Sequence, residues 1–450
     1  MKFISSKLSV TGLAGLLTLL TLLSGCDLDL PNPNAAPEED TLSSREGLLG
    51  LSVGLRQAYS TQALEPIILT TGTTAREVKG ITTFFNITEL EQGGPQLSPN
   101  NANTSALFAR NYRVIRTADQ LIEAAPVVLA ADAATRSGVL AHAYLFKAAA
   151  LAGVASGFEQ GPLTAIDGTP EFVSRQELLA EGIRLLDLAT QELAANPPSA
   201  EFNTTVLGTN FSLPNTVQAY RARLNLRAGN YAAALAAANL VNLTVRSEFS
   251  YSAQNPNPVF QFTILAGTNF RPRQNFGLPV GAPDSLVNRR DGRLAFYLSG
   301  PAVRNTENGS VDSVRSLAGF FGSVSTPIPA YLPDEIRLIR AEANLRAATP
   351  DLTAALVDIN FVRTQASGDL FGVHANLPPY RGPVTVEALL LEVYRQRSAE
   401  LFLTGQRLED SRRFGRPAPP ASLRERNRNF YPYPQQERVN NPNTPPDPAI

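Results

Sequence analysis

Few residues in this chain are equipped for covalent chemistry. Cys26 is the only cysteine in 450 residues. It follows Leu23-Ser24-Gly25, and small residues at 24 and 25 fit a signal-peptidase pocket. Its thiol is placed to become a thioether to diacylglycerol, so lipidation at Cys26 is expected. One cysteine allows no internal disulfide and no thiolate metal cluster. His142 and His374 are the only histidines, which leaves little for a zinc site or a Ser-His-Asp triad. His142 falls in an alanine-rich helical pattern and reads as a packed or surface residue rather than a ligand. Gly50-Leu51-Ser52-Val53-Gly54 matches the G-x-S-x-G string, but a nucleophile elbow needs a strand before the serine and a helix after it. LLGLSVGLRQAYS reads as one helix, so the match is taken as coincidence. No metal and no cofactor is expected.

Glu400, Gly405, Arg407, Asp410 and Arg413 form a second constellation. A Glu/Asp pair could do acid–base work. Arginine forks also bind carboxylates bidentately. The structural role, locking the last helix onto the scaffold, is the expected one.

The elements that would position these residues begin with an export signal. Lys2 and Lys7 precede an apolar run from Leu8 to Leu23, the layout of a secretory signal peptide. The run is short of the ~20 residues that span a bilayer. Residues 1–25 are therefore expected to be removed. DLDLPNPNAAPEED then reads as a flexible tether, so 26–42 is a lipidated linker and 43–440 a single domain. Several acyl chains anchor stably where one binds only marginally. The last stretch, NPNTPPDPAI, reads as a flexible tail over 441–450.

Hydrophobic residues make up 43% and charged residues 18%, enough apolar material for a sizeable core. The net charge of −1 argues against a global field for nucleic acid. Lys2, Lys7, Lys79 and Lys147 are the only lysines, so basic sites would be bidentate or stacking arginine sites.

Helical spacing dominates the domain. Leu107, Tyr112, Ile115 and Ile122 form one stripe, and Leu140, Tyr144, Phe146, Ala149 and Leu151 the next. The short break between them predicts an antiparallel pair. SRQELLAEGIRLLDLATQELAANPP predicts a helix ended by Pro197-Pro198. PNTVQAYRARLNLRAGNYAAALAAANLVN predicts a tetratricopeptide-type hairpin turning at Gly229-Asn230. DEIRLIRAEANLRAATPDLTAALVDINFVRTQAS predicts another, with Thr349 capping its second helix and Pro350 at the first position. VTVEALLLEVYRQRSAELFLTGQRLEDSRRFG predicts a final helical stretch ending at Gly415. From about 199 to 213, and again from 250 to 329, the period dissolves into Asn, Pro, Gly, Arg and aromatics with a few short strands. Loops of that length are functional or disordered.

Several ordered segments resemble the SusD/RagB family of starch-utilisation-type nutrient-uptake lipoproteins. CDLDLPNPN is similar to the family's start after lipidation. NYRVIRTADQLIEAA resembles its Y-x-x-I-x-x-A-N-x-L-I helix, with Asp119 in place of Asn. AHAYLFKAAALAGVASGFEQGPL resembles the next helix and its G-x-x-P-L exit, with Lys147 in place of Arg. RQRSAELFLTGQRLEDSRRFGRP resembles R-x-x-E-L-x-x-E-G-x-R-x-x-D-L-x-R-x-G, with Thr404 and Ser411 as departures. RNRNFYPYPQQERVNNPN resembles the Y-P-I-P-x-x-E-x-x-x-N-P ending. The resemblance implies a mostly α fold, a scaffold of about four tetratricopeptide-like hairpins with loop-rich excursions. It also implies a surface lipoprotein of the outer membrane, facing outward. Such proteins bind a nutrient without catalysis and deliver it to a partner TonB-dependent receptor of the SusC type.

Aromatic side chains in the irregular regions carry the ligand hypothesis, because sugar rings stack C–H faces on aromatic faces. The candidates are Phe84, Phe85, Asn86, Tyr251, Phe270, Arg273, Asn275, Phe276, Tyr297, Phe320 and Phe321. Those zones match where the family's ligand loops lie. The absence of tryptophan, the widest stacking face, keeps a peptide open beside an oligosaccharide. A lipid-anchored protein-interaction scaffold that binds no nutrient is the second reading, and a secreted hydrolase the third.

Overall fold

The structure is a computed structural model that describes residues 38–165, 168–265, 269–279, 286 and 288–450. The signal peptide, Cys26 and the tether up to residue 37 lie outside the described residues. Glu38–Leu42 is a short helix.

Helix α1 (Arg45–Ala58) starts at Ser44, whose side chain accepts from the Gly47 amide. A π-turn (Tyr59–Ala63) joins it to α2 (Leu64–Thr74). Strand β1 (Val78–Gly80) and helix α3 (Phe85–Gln92) lead into α4 (Ala102–Val128) and α5 (Ala133–Gly157). The next pieces are β2 (Gln160–Gly161), β3 (Val173–Ser174) and α6 (Arg175–Ala195). Ser174 and Glu177 form a complete capping box at the start of α6, which satisfies two amides the first turn would otherwise leave open. Helices α7 (Leu213–Ala228) and α8 (Tyr231–Asn239) follow, turning at Gly229 with φ +83°, a left-handed position that glycine adopts at no steric cost.

After an excursion come α10 (Pro333–Arg346) and α11 (Leu352–Thr364), then α12 (Val386–Glu400), α13 (Arg407–Arg413) and α14 (Gln435–Asn440). The excursion itself holds β4 (Glu248–Phe249), β5 (Phe270–Pro272), α9 (Arg293–Tyr297), β6 (Leu298–Asn305), β7 (Asp312–Leu317) and β8 (Ile328–Pro329). Among the described residues the strands make two-stranded pairs: β1 with β5, β2 with β3, β4 with β8 and β6 with β7, all antiparallel.

The long helices stack in chain order. α4 lies on α5, α5 on α6, α6 on α7, α7 on α8, α8 on α10, and α10 on both α11 and α12. Such a stack buries a continuous apolar seam that no single hairpin could bury alone. α5 is central. It is long and apolar enough to cross a membrane, yet 94% of that stretch is buried inside the protein, so it is a core helix. Ser52 is fully buried in α1 and donates to the Leu48 carbonyl at 2.8 Å, the packing expected of a helical serine. His142 is fully buried, its ring 4.7 Å from Phe146 and 5.9 Å from Phe202. Burial holds it well below the ordinary imidazole range, so it is neutral.

Three expectations need correction. The final helical stretch is two helices, not one. The chain breaks between α12 and α13, where Leu403 has φ +55° and Gly405 φ +75°. A Cβ at 405 would sit 2.6 Å from Ile67 Cγ2 and 2.8 Å from the Ile67 carbonyl oxygen, so close packing onto α2 demands glycine there. The N-cap of α11 is Asp351, whose carboxylate accepts from Ala354 N at 2.8 Å. Thr349 and Pro350 lie outside that helix. Residues 441–450 are tied down: Asp447 accepts from Tyr433 N at 2.9 Å and pairs with Arg438 at 2.7 Å, and Asn441 donates to the Pro170 carbonyl at 2.9 Å.

Candidate functional site

Strand register brings distant segments together. β1 pairs with β5, Lys79 opposite Arg271, and Arg273 bridges onward to Val314 in β7. The β6–β7 hairpin therefore lies beside the chain that follows α2. Its turn is held from below, since Asn308 Nδ2 donates to the carbonyls of Gly80 (2.9 Å) and Thr82 (3.0 Å).

Between these pieces opens a cleft of about 530 Å³ lined by Arg76, Arg273, Gln274, Asn275, Ser310 and Asp312, with Arg289, Leu423 and Arg424 at other points of its wall. A buried ion network holds it. Glu91, fully buried, takes Arg76 at 2.9 Å and also pairs with Arg273, and its other oxygen accepts from Gly80 N at 3.1 Å. Asp312 pairs with Lys79 at 3.2 Å and Arg273 at 3.3 Å and accepts from Ser310 Oγ at 2.9 Å. Burial alone would raise the Asp312 carboxyl. The guanidinium of Arg273, with Ser310 and Lys79, outweighs it and holds the group at about 2.

The backbone is strained here. Arg76 (φ +66°), Asn275 (φ +62°), Phe276 (φ +59°) and Gly277 (φ +68°) are all left-handed. Each such non-glycine residue costs on the order of 1–3 kcal/mol, and such strain concentrates at ligand clamps.

The aromatic candidates divide sharply. Phe84 and Phe85 are 61% and 77% exposed at the start of α3, four and five residues beyond Gly80. Asn86 uses its backbone carbonyl, which accepts from Asn101 Nδ2 at 2.8 Å and Asn103 Nδ2 at 3.1 Å. Arg273 and Asn275 line the cleft. Tyr251, Phe270, Phe276, Tyr297, Phe320 and Phe321 are all buried. Four of them share one plug: Phe276 meets Tyr297 edge-on at 6.4 Å, Tyr297 meets Phe320 at 5.9 Å, and Phe320 meets Phe321 at 6.3 Å. Tyr251 donates to the Ser60 carbonyl at 3.1 Å. Their ring faces are spent on the core of the excursion and present nothing to a ligand.

Several lining residues carried no signal at the level of single positions: Arg76, Gln274, Ser310, Asp312 and Arg289. The Asn308-Gly309 dipeptide was the available clue. Asn-Gly between two strand-like runs marks a hairpin, and it would have placed Ser310 and Asp312 just past a turn.

The charge constellation is structural in its geometry. Asp410 accepts two bonds from Arg397 (2.8 and 3.0 Å), and Arg413 spans Glu342 on α10. Glu400 pairs with the fully buried Arg293 at 3.0 Å. Arg407 turns to carbonyls instead, those of Ser398 at 2.8 Å and Phe276 at 3.2 Å. Among the described residues no three His, Cys, Asp or Glu side chains are grouped to hold a metal ion.

No protein-family profile matches the chain, and no curated protein matches it. Solved structures do. NanU of Bacteroides fragilis superposes with a TM-score of 0.66 at 12% identity, over 93% of this chain and 99% of that one. A SusD superfamily protein from Bacteroides vulgatus gives 0.62 at 15% identity, over 89% and 97%. A SusD-like carbohydrate binding protein from Bacteroides vulgatus gives 0.61 at 15% identity, over 82% and 83%. The chain has the SusD fold. Within that SusD fold, Asp119 and Lys147, the two positions that depart from the resemblance in α4 and α5, form a buried pair with each other. Thr164 adds a bond to Asp119 Oδ2 at 2.8 Å, so one departure compensates the other.

Proposed function

We propose that this chain is an outer-membrane lipoprotein, anchored through Cys26, that captures an oligosaccharide at the cleft and passes it to a TonB-dependent transporter without chemical change. The observation that carries the reading is the exposure of Phe84 and Phe85 on the segment that follows β1, outside the lining of the cleft itself. Large apolar side chains left in water beside polar groups mark interaction sites. Arginine, asparagine and serine in the cleft can reach sugar hydroxyls while the two rings stack on sugar faces. The carbohydrate-binding description of a structural neighbour supports a glycan over a peptide. The signal-like start and Cys26 support the anchor.

The experiment is extraction of the expressed protein with mild detergent from outer membranes, followed by titration with a panel of glycans and peptides. A co-purifying TonB-dependent barrel and a saturable glycan signal are expected. Cys26→Ala should release the chain from the membrane fraction. Peptide binding without glycan binding would overturn the ligand class, and a different stable partner would overturn the delivery role.

A further inference from the structure

The cleft does not end at Arg289. That residue also lines a second opening, of about 580 Å³, with Arg363, Tyr380, Arg381, Glu392 and Arg395. A small crevice shares Leu278 with the first opening, Arg363 with the second, and Leu286 and Asn288 with the second. The two openings are thus one run of surface.

We infer that this run is a groove for an acidic oligosaccharide, one whose sugars carry carboxylate or sulfate groups. The inference rests on the glycan-capture reading and names the class of glycan.

The charge distribution carries it. The whole chain balances 39 cations against 40 acids. Along the groove, seven arginines face three described carboxylates, Asp312 and Glu392 in the openings and Asp291 in the crevice that joins them. Counting the buried Glu91 and Lys79 beneath the first opening leaves the excess in place. Arg289 and Arg381 are exposed and make no ion pair among the described residues. Arg363 and Arg395 both lean on one acid, Glu392. Arg395 Nε is buried with no hydrogen-bond partner, a donor aimed at nothing the described residues supply. Every cation lining the openings is an arginine, whose planar fork matches a carboxylate or sulfate with two parallel bonds. Tyr380 supplies a ring between these forks, its hydroxyl donating to the Pro383 carbonyl at 3.1 Å. A repeating acidic sugar offers the same alternation of flat apolar faces and spaced anions. Each opening alone is the size of a small-ligand pocket, so two in series suit an oligomer.

The test is calorimetric titration of the purified lipoprotein with oligogalacturonate, with the same oligomer fully methyl-esterified, with chondroitin sulfate hexasaccharide, and with neutral maltoheptaose. A single-stranded oligodeoxynucleotide of equal charge is the further arm. An acidic oligomer should bind, weaken at least tenfold on esterification or on raising salt from 0.05 to 0.5 M, and weaken at least tenfold in the Arg289→Ala, Arg381→Ala double variant. The melting temperature of that variant should not move, since neither residue makes an ion pair among the described residues. Neutral glycans bound as tightly as acidic ones would overturn the inference and leave glycan capture standing. Equal binding of the oligodeoxynucleotide would overturn the sugar assignment. No glycan of any charge bound would overturn the capture reading itself.

Discussion

Arg413 holds both carboxylate oxygens of Glu342 at 2.8 Å from 71 residues further along the chain, and neither side chain is more than 7% exposed. The same guanidinium donates to Asp410 at 2.9 Å. The pair fastens α13 to α10 in the middle of the stack. Removing one partner of such a buried pair leaves the other charge uncompensated and costs ~3–5 kcal/mol. Arg413→Ala should lose about that much stability in urea unfolding. Arg413→Lys should recover only a minor part, because one ammonium cannot span two oxygens.

Phe84 and Phe85 should separate binding from folding. Both rings stand largely in water, so the Phe84→Ala, Phe85→Ala double variant should melt within about 0.5 kcal/mol of the parent. Glycan affinity should fall about tenfold or more, the scale of losing an aromatic anchor. Unchanged affinity would remove these two residues from the site.

Glu77 makes stability depend on pH. Burial pushes its carboxyl up to about 7, against the pull of Arg407 and of the Leu403 amide, which donates at 3.0 Å. Between its ordinary 4.5 and about 7 the folded protein holds a proton that the unfolded chain has released. Stability from this group is therefore full below 4.5 and falls as pH rises through 7, by up to ~3 kcal/mol. Glu77→Gln keeps an acceptor for Leu403 and removes the titration. Urea unfolding at pH 5 and pH 8 should show the variant gaining on the parent at the higher pH.

His142 acts on the other side. Its folded value lies well below the ordinary 6.5 because burial disfavours the cation, with Arg56 adding to the effect. Neither ring nitrogen has a hydrogen-bond partner among the described residues. The unfolded chain binds a proton below 6.5 that the folded one refuses, so stability is lost as pH falls below that point. His142→Leu should flatten the acid limb of a stability–pH profile, with little effect at pH 8.

Much of the helical stack can be read from residue spacing, because each long helix carries its own apolar period and its own caps. The α4–α5 and α7–α8 hairpins lie where Leu107, Ile115, Leu140 and Gly229 place them. The break after α12 is hidden because apolar residues continue through Leu401, Phe402 and Leu403. Only contact with Ile67 makes the turn at Gly405 necessary. The cleft is legible in part. A phenylalanine in an irregular segment looks the same whether it plugs a loop, as Phe321 does, or stands in water, as Phe85 does. Glu91 reads as an ordinary helical surface acid, and its burial depends on Arg273, 182 residues away.

On the export route proposed above, the chain would thread through the membrane unfolded, and α5 would pass the channel without the neighbours that cover it. By length and composition it is a segment that a translocation channel could release sideways into lipid. Lys147 sits near its middle, and a lysine at that depth costs ~3 kcal/mol of insertion. The residue that pairs with Asp119 in the finished protein would thus first have served as a pass through the channel, keeping a core helix from becoming a membrane span.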